Sequence, residues 1–115
     1  MIEIYHNPRC KKSRAGLEHL KAKGLDFKTI EYLKNPFTEK EFKDILAKLN
    51  KKPQDMIRTQ EDQYKKEFRG KKFTDEEWIK IMVENPKLIK RPIVVKDYKA
   101  VWADPPEEMD TLVDL

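Results

Sequence analysis

The sequence predicts an α/β fold, a four-stranded mixed sheet with flanking helices, and three observations predict it. The first 33 residues pass from strand to helix to strand patterning. The middle of the chain carries two helix-start signals, and a β-branched run near the C-terminus is followed by a turn and another strand pattern.

Taken in order, Ile2 to Tyr5 alternates as a strand, and about Lys11 to Lys23 reads as a helix, with Ala15, Leu17, Leu20 and Ala22 near helical spacing. Gly24 stops it. Phe27 to Leu33 alternates again, so the chain opens β-α-β with Cys10 in the first turn, where an α/β fold exposes backbone amides. Asn35-Pro36 breaks the chain. Thr38 and Glu41 then form a capping-box pattern ahead of Phe42, Ile45, Leu46 and Leu49, one apolar helix face that ends at Asn50 to Pro53. Gln54 to Arg69 is polar, with only Met56, Ile57, Tyr64 and Phe68 to bury, and implies short helices and loops. Thr74 and Glu77 repeat the capping pattern before Trp78, Ile81 and Met82, in a helix that ends before Asn85-Pro86.

Arg91-Pro92-Ile93-Val94-Val95 is a strand, Asp97-Tyr98-Lys99 a turn, and Ala100-Val101-Trp102 the return of a hairpin. Pro105-Pro106 starts a last helix reaching Leu112 or Val113. The order βαβ, helices, ββα is a thioredoxin-like arrangement with a helical insertion, expected as one domain over residues 1–115. Trp78 and Phe42 read as core and Trp102 as hairpin packing. Tyr64, Phe68 and Phe73 either cover the sheet or line a partner surface.

Composition narrows the function. Charged residues form 40% of the chain, yet 25 cations against 21 anions leave only +4, and the Lys-rich stretches also carry Asp and Glu. No aromatic-basic stacking motif accompanies them, so nucleic acid is not the expected partner. One cysteine and two histidines, His6 and His19, rule out an intramolecular disulfide and argue against a protein metal cage. No run reaches membrane-spanning length, and the charged start leaves no room for a signal-peptide core, so the expected location is the cytoplasm.

The chemistry centres on His6-Asn7-Pro8-Arg9-Cys10-Lys11-Lys12-Ser13-Arg14. Four of the six residues from Arg9 to Arg14 are cationic, and a strand-to-helix turn directs unpaired N–H groups at the thiol; both favour thiolate, and both attract an anion. A lone cysteine is more often a buried structural residue, but this surrounding charge points to a nucleophile. Ser13 stands where a C-x-x-C pair would have its second thiol, so the chemistry is monothiol and release of a mixed disulfide needs an external thiol. Lys11 and Lys12 either collect an anion or solvate the helix start. His6, from the residues alone, is a neutral loop histidine or a partner of the thiol.

The run Tyr5 to Arg14, with Arg91-Pro92-Ile93-Val94-Val95 about eighty residues later, resembles the arsenate reductases that couple to glutathione and glutaredoxin, a family whose relatives include the Spx-like transcription regulators. The resemblance covers essentially the whole chain. It implies that Cys10 is the nucleophile, that His6 helps keep it deprotonated, that Arg58 and Arg91 bind the oxyanion with Ser13 and Arg14 in the binding loop, and that Pro92 matches the cis-proline of thioredoxin-like folds. A guanidinium suits this task because its planar, permanently charged fork gives parallel hydrogen bonds to a tetrahedral oxyanion. For Arg58 a salt bridge with Glu61 or Asp62 is the competing reading. Glutathione is the implied co-substrate and glutaredoxin the implied partner, with no bound cofactor and no metal.

The chain departs from that pattern after the hairpin. A third oxyanion-binding arginine is expected there, and Ala103-Asp104-Pro105 stands instead. Asp104 repels an anion, and one missing charge-assisted contact costs about 1.5–3 kcal/mol, roughly ten- to a hundredfold in binding or rate. Lys96 or Lys99 can compensate. The alternatives to arsenate reduction are a regulator that binds RNA polymerase, against which the missing second cysteine counts, and a thiol reductase for another substrate.

Overall fold

The computed structural model describes residues 1–114. Its chain divides into two compact units, one made of Met1–Asn35 with everything from Arg91 onward, the other of Pro36–Lys90.

The first unit holds strand β1 (Ile2–His6), helix α1 (Lys11–Ala22) and strand β2 (Phe27–Glu31), and later β3 (Ile93–Lys96), β4 (Lys99–Trp102), a 3-10 turn (Pro106–Met109) and a short α4 (Asp110–Val113). The sheet runs β2-β1-β3-β4, with β1 and β2 parallel and the other pairs antiparallel. Ile4 sits opposite Thr29 on one side and Val94 on the other, and Val94 in turn faces Val101. This is the mixed sheet the element order implies. The β3–β4 turn is closed by Asp97 at φ 57°, a left-handed position that an Asp side chain tolerates.

Ile2, Ile4, Leu20, Val94, Ala103, Met109 and Val113 form this unit's core, bordered by Leu17, Phe27, Val101 and Leu112. Ile93, Val94 and Val95 are all buried, so β3 is covered on both faces, which is why its sequence is a continuous apolar run. Helix α1 differs from its sequence pattern. It buries Ser13, Gly16 and Leu20, with Leu17 half-buried, while Ala15 and Ala22 are exposed. Its inward stripe thus begins with a hydroxyl and a glycine. A Cβ on Gly16 would lie 2.5 Å from Pro92 Cγ, so the helix approaches the Arg91–Pro92 turn too closely for any side chain.

The second unit is helical. Helices α2 (Glu39–Leu49) and α3 (Asp75–Glu84) each start with a complete capping box, Thr38 with Glu41 and Thr74 with Glu77. Between them lie a 3-10 turn (Pro53–Met56) and a single π-helical segment (Tyr64–Phe68), as short elements where a polar stretch leaves little to bury. Phe42, Ile45, Leu46 and Leu49 are the buried face of α2, as the spacing predicts. On α3 the buried residues are Trp78, Ile79 and Met82, and Ile81 is half-buried; the apolar residues at 78, 79, 81 and 82 allow either stripe, and packing selects the one with Ile79. Phe68 and Phe73 pack edge-to-face on Trp78, with centroids 6.1 and 4.9 Å away, so these aromatics belong to the helical unit's own packing. Arg58 N–H donates to Leu88 O and Lys90 N–H to Met56 O, which ties the two ends of this unit together.

Candidate active site

The loop from β1 to α1 is built by its own hydrogen bonds. Cys10 N–H donates to Asn7 O at 3.0 Å, Arg9 N–H to Asn7 Oδ1 at 3.0 Å, and the Arg14 guanidinium to Pro8 O at 3.0 Å. Asn7 thus folds the turn with both its backbone and its side chain, a role its short amide suits. Arg14 N–H donates to Cys10 O, so Cys10 occupies the N-cap of α1 in an extended conformation.

Ser13 is completely buried, and its hydroxyl is the centre of the loop. Its Oγ accepts Asn7 N–H at 2.9 Å and lies 2.7 Å from His6 Nδ1. Oγ and Nδ1 are within hydrogen-bond distance, and which of the two donates follows the imidazole tautomer. The two bonds place the Ser13 side chain in the scaffold of the loop and leave it turned inward, not toward solvent.

His6 is buried, and this burial is the largest influence on its titration, pushing it below the ordinary histidine value. Glu31 and the hydrogen bonding at Ser13 favour the cation but are outweighed, with Lys21 and Arg14 opposing it too. The neutral form that burial favours carries no charge, and its Nδ1 lies against the Ser13 hydroxyl.

Cys10 itself is partly exposed and is the free thiol. Burial is the largest single influence and disfavours its ionised form, but it is overcome by the Ser13 N–H, by the Arg91 guanidinium through hydrogen bonding and charge, and by the Lys12 N–H, so the thiol sits below its ordinary value. Sγ makes no N-cap hydrogen bond of standard geometry, so the amides act on it as dipoles at the helix start.

Arg91 arrives from the far end of the chain. It is 7% exposed, its peptide bond to Pro92 is cis, and its carbonyl accepts the Trp102 indole N–H at 3.2 Å. Pro92 O accepts Ala103 N–H at 2.9 Å, so the hairpin pins the turn from both sides. The next residue, Asp104, precedes a second cis proline, and its carboxylate pairs with Lys12 Nζ at 3.1 Å. The two lysines of the loop therefore differ. Lys12 is engaged with Asp104, whereas Lys11 lines a cavity of about 540 Å³ with His6, Pro8, Arg14 and Leu17.

His6, Cys10, Ser13, Arg14, Arg91 and Pro92 all lie in the first unit. Arg58 lies in the second, where its Nε and one terminal nitrogen both donate to Glu61 Oε2 at 3.0 Å and the side chain is mostly buried. The salt bridge weighed as the competing reading for Arg58 is thus present. Sequence reasoning missed the structural part of Ser13 and the partnership of Lys12 with Asp104. An S-x-x hydroxyl after a histidine strand is a faint signal for the first; nothing local signals the second.

Such a loop, a thiolate held at a helix start by amides and an arginine from a later turn, defines a thiol-reactive site on a thioredoxin-like fold. The family model of the ArsC family matches residues 5–112, and the chain belongs to that family. It is 33% identical over 114 residues to an arsenate reductase of Neisseria meningitidis, covering 97% of each chain. It is 39% identical over 114 residues to the uncharacterized protein YfgD of Escherichia coli, covering 97% of this chain and 96% of the relative. The structure of an arsenate reductase from Vibrio cholerae superposes with a TM-score of 0.92 at 35% identity, over 97% of each chain. The relatives named for an activity are reductases, and they give no support to the polymerase-binding alternative. Among the described residues, no helix is long and apolar enough to cross a membrane.

Proposed function

We propose that this chain is an arsenate-reductase-like monothiol oxidoreductase of the cytoplasm. The observation that carries the reading is the Cys10 thiol, kept below its ordinary pKa by loop amides and by Arg91 in a member of the ArsC family. The thiolate attacks the arsenic of an arsenate oxyanion and displaces a hydroxide, and Arg91 with the amides of the loop stabilises the negative charge gathered on the oxygens. Glutathione thiolate then attacks Sγ of the adduct. The electron pair of the S–As bond goes to arsenic, reducing it from As(V) to As(III), and arsenite leaves behind a Cys10–glutathione disulfide. Glutaredoxin or a related thiol resolves it by exchange, because the chain has no second cysteine. Arg58 and Arg14 enter this reading through the family resemblance, and Ser13 as the support of the loop. No bound cofactor or metal is used.

The test is arsenate-dependent NADPH oxidation with glutathione, glutaredoxin and glutathione reductase. Activity is expected in the wild type, none in Cys10→Ser, and about ten- to a hundredfold less in Arg91→Ala, the cost of one charge-assisted contact. A wild type at background rate overturns the arsenate assignment.

A further inference from the structure

The helical unit, residues 36–90, contains a cavity of about 440 Å³ that the chemistry of Cys10 does not use. Three aromatic rings line it, Tyr64, Phe73 and Trp78, together with the ammonium groups of Lys71 and Lys72 and the hydroxyl of Thr59. Local winding of the chain collects these groups. The π-helical segment closes with Arg69 N–H donating to Tyr64 O at 2.9 Å, and Lys71 N–H then donates to Phe68 O at 3.1 Å. The reversal brings Lys71 and Lys72 to the same cavity as Tyr64 and sets Phe73 edge-to-face on Trp78, with centroids 4.9 Å apart.

The lining is incomplete within the protein. Trp78 is 3% exposed, and its indole N–H is buried without an acceptor among the described residues. Buried donors are nearly always paired, so an orphaned one on a residue that lines a cavity calls for an acceptor brought by the occupant. Both ammonium groups and the Thr59 and Tyr64 hydroxyls also lack a protein partner among the described residues, and Tyr64 is the one ring of the three that contacts no other aromatic. Lys65, Lys66 and Arg69 pair with no carboxylate either. From Tyr64 to Phe73 five cations stand against Glu67 alone, a charge of +4 that equals the net charge of the whole chain. Each feature selects a part of the ligand. Aromatic walls take a flat ring, adjacent lysines take a multiply charged anion, and the volume suits one small molecule rather than a strand. An inorganic oxyanion leaves the rings unused, and an uncharged ring leaves the lysines unused. We propose that this cavity binds a nucleoside phosphate of two or more charges, with its base against Tyr64, Phe73 and Trp78 and its phosphates on Lys71 and Lys72.

The experiment follows the Trp78 indole signal in nitrogen-proton correlation spectra of the full chain, which has only two tryptophans; the signal that persists in Trp102→Phe is that of Trp78. ADP, GDP and UDP are titrated in turn to millimolar concentration. At least one is expected to shift the Trp78 signal saturably while that of Trp102 stays in place. The matching nucleoside and inorganic pyrophosphate carry the two halves of the ligand separately, and each is expected to bind at least about tenfold more weakly, the loss of one half of the contacts. The double variant Lys71→Gln, Lys72→Gln, at two exposed positions, is expected to weaken the nucleotide by about five- to tenfold, the size of two partly exposed charge contacts. The proposal is overturned if no diphosphate shifts the Trp78 signal. It is equally overturned if pyrophosphate binds as tightly as the nucleotide, which would be attraction to lysines alone, or if the double variant binds as wild type does. The readout is binding alone, so the outcome is independent of arsenate turnover.

Discussion

Gly16→Ala tests whether α1 and the Arg91–Pro92 turn are as close as the structure places them. The new Cβ would sit 2.5 Å from Pro92 Cγ and 3.6 Å from Ala103 O. Carbon atoms in contact rest at about 3.5–4.0 Å, so the helix or the proline ring must yield by about 1 Å. Neither is a flexible side chain. Overpacking of this kind costs about 1–3 kcal/mol, while replacing glycine by alanine inside a helix returns about 1 kcal/mol. The steric term outweighs the helix gain, and the net loss is up to about 2 kcal/mol, read as a lower urea midpoint and a Tm reduced by up to about 8 °C. The displacement also falls on the residue after Arg91. The pH profile of Cys10 alkylation by iodoacetamide should therefore move to higher pH as the guanidinium loses its position beside Sγ. Gly24→Ala is the contrast, because Gly24 has φ 71° and nothing within 4 Å of a new Cβ. It should cost about 1–2 kcal/mol through backbone strain alone and leave the thiol profile where it was. A Gly16→Ala protein that is more stable than wild type, with an unmoved thiol profile, would refute the reasoning.

Two further outcomes are expected. Arg91→Ala removes a cause of the low thiol pKa, so the alkylation inflection moves up and the thiolate fraction at neutral pH falls. Because the folded thiol lies below the unfolded one, the wild type has its extra stability above the unfolded pKa and loses it as pH falls through the folded pKa. The variant should show a smaller change over that window in urea titrations at several pH values. Ser13→Ala strips both Asn7 N–H and His6 Nδ1 of their partner in a buried site, and should lower unfolding free energy by about 1–3 kcal/mol, with Cys10 reactivity falling as the loop loosens.

Much of this architecture is legible in the sequence because local physics and tertiary packing agree. Thr38 and Thr74 each precede a glutamate by three residues, and both capping boxes form. Alternation in Ile2 to Tyr5 and the unbroken run Ile93 to Val95 mark an inner pair of strands, of which the second is buried on both faces. Legibility fails where burial is not apolar. The inward face of α1 is Ser13, Gly16 and Leu20, and two of those three carry no hydrophobic signal. Periodicity therefore turns the helix toward Ala15 and Ala22, which are in fact exposed. The strand Phe27 to Leu33 is read too long for a related reason: Tyr32 and Leu33 are apolar but lie beyond Glu31 in a turn, where Tyr32 is nonetheless buried. The thiol is legible through the density of charge around it. Its support is not, since Ser13 acts through two hydrogen bonds that point inward and Lys12 through a partner on the far side of the chain.

The division of labour around Cys10 follows from which charges are permanent. Burial favours the neutral form of His6, so it works against a positive charge on the histidine nearest in sequence. Lys12 spends its ammonium on Asp104 and lends the thiol only its backbone dipole. The side chain that favours ionisation is Arg91, which reaches the loop only when β3 has paired with β1, when Trp102 has bonded its carbonyl, and when Gly16 has let α1 close on Pro92. A chain in which the hairpin is not yet docked thus lacks the guanidinium's share and keeps only what the amides of Ser13 and Lys12 supply. Activation of the nucleophile joins a local contribution, from the helix start, to a tertiary one, from Arg91, and burial of the thiol opposes both.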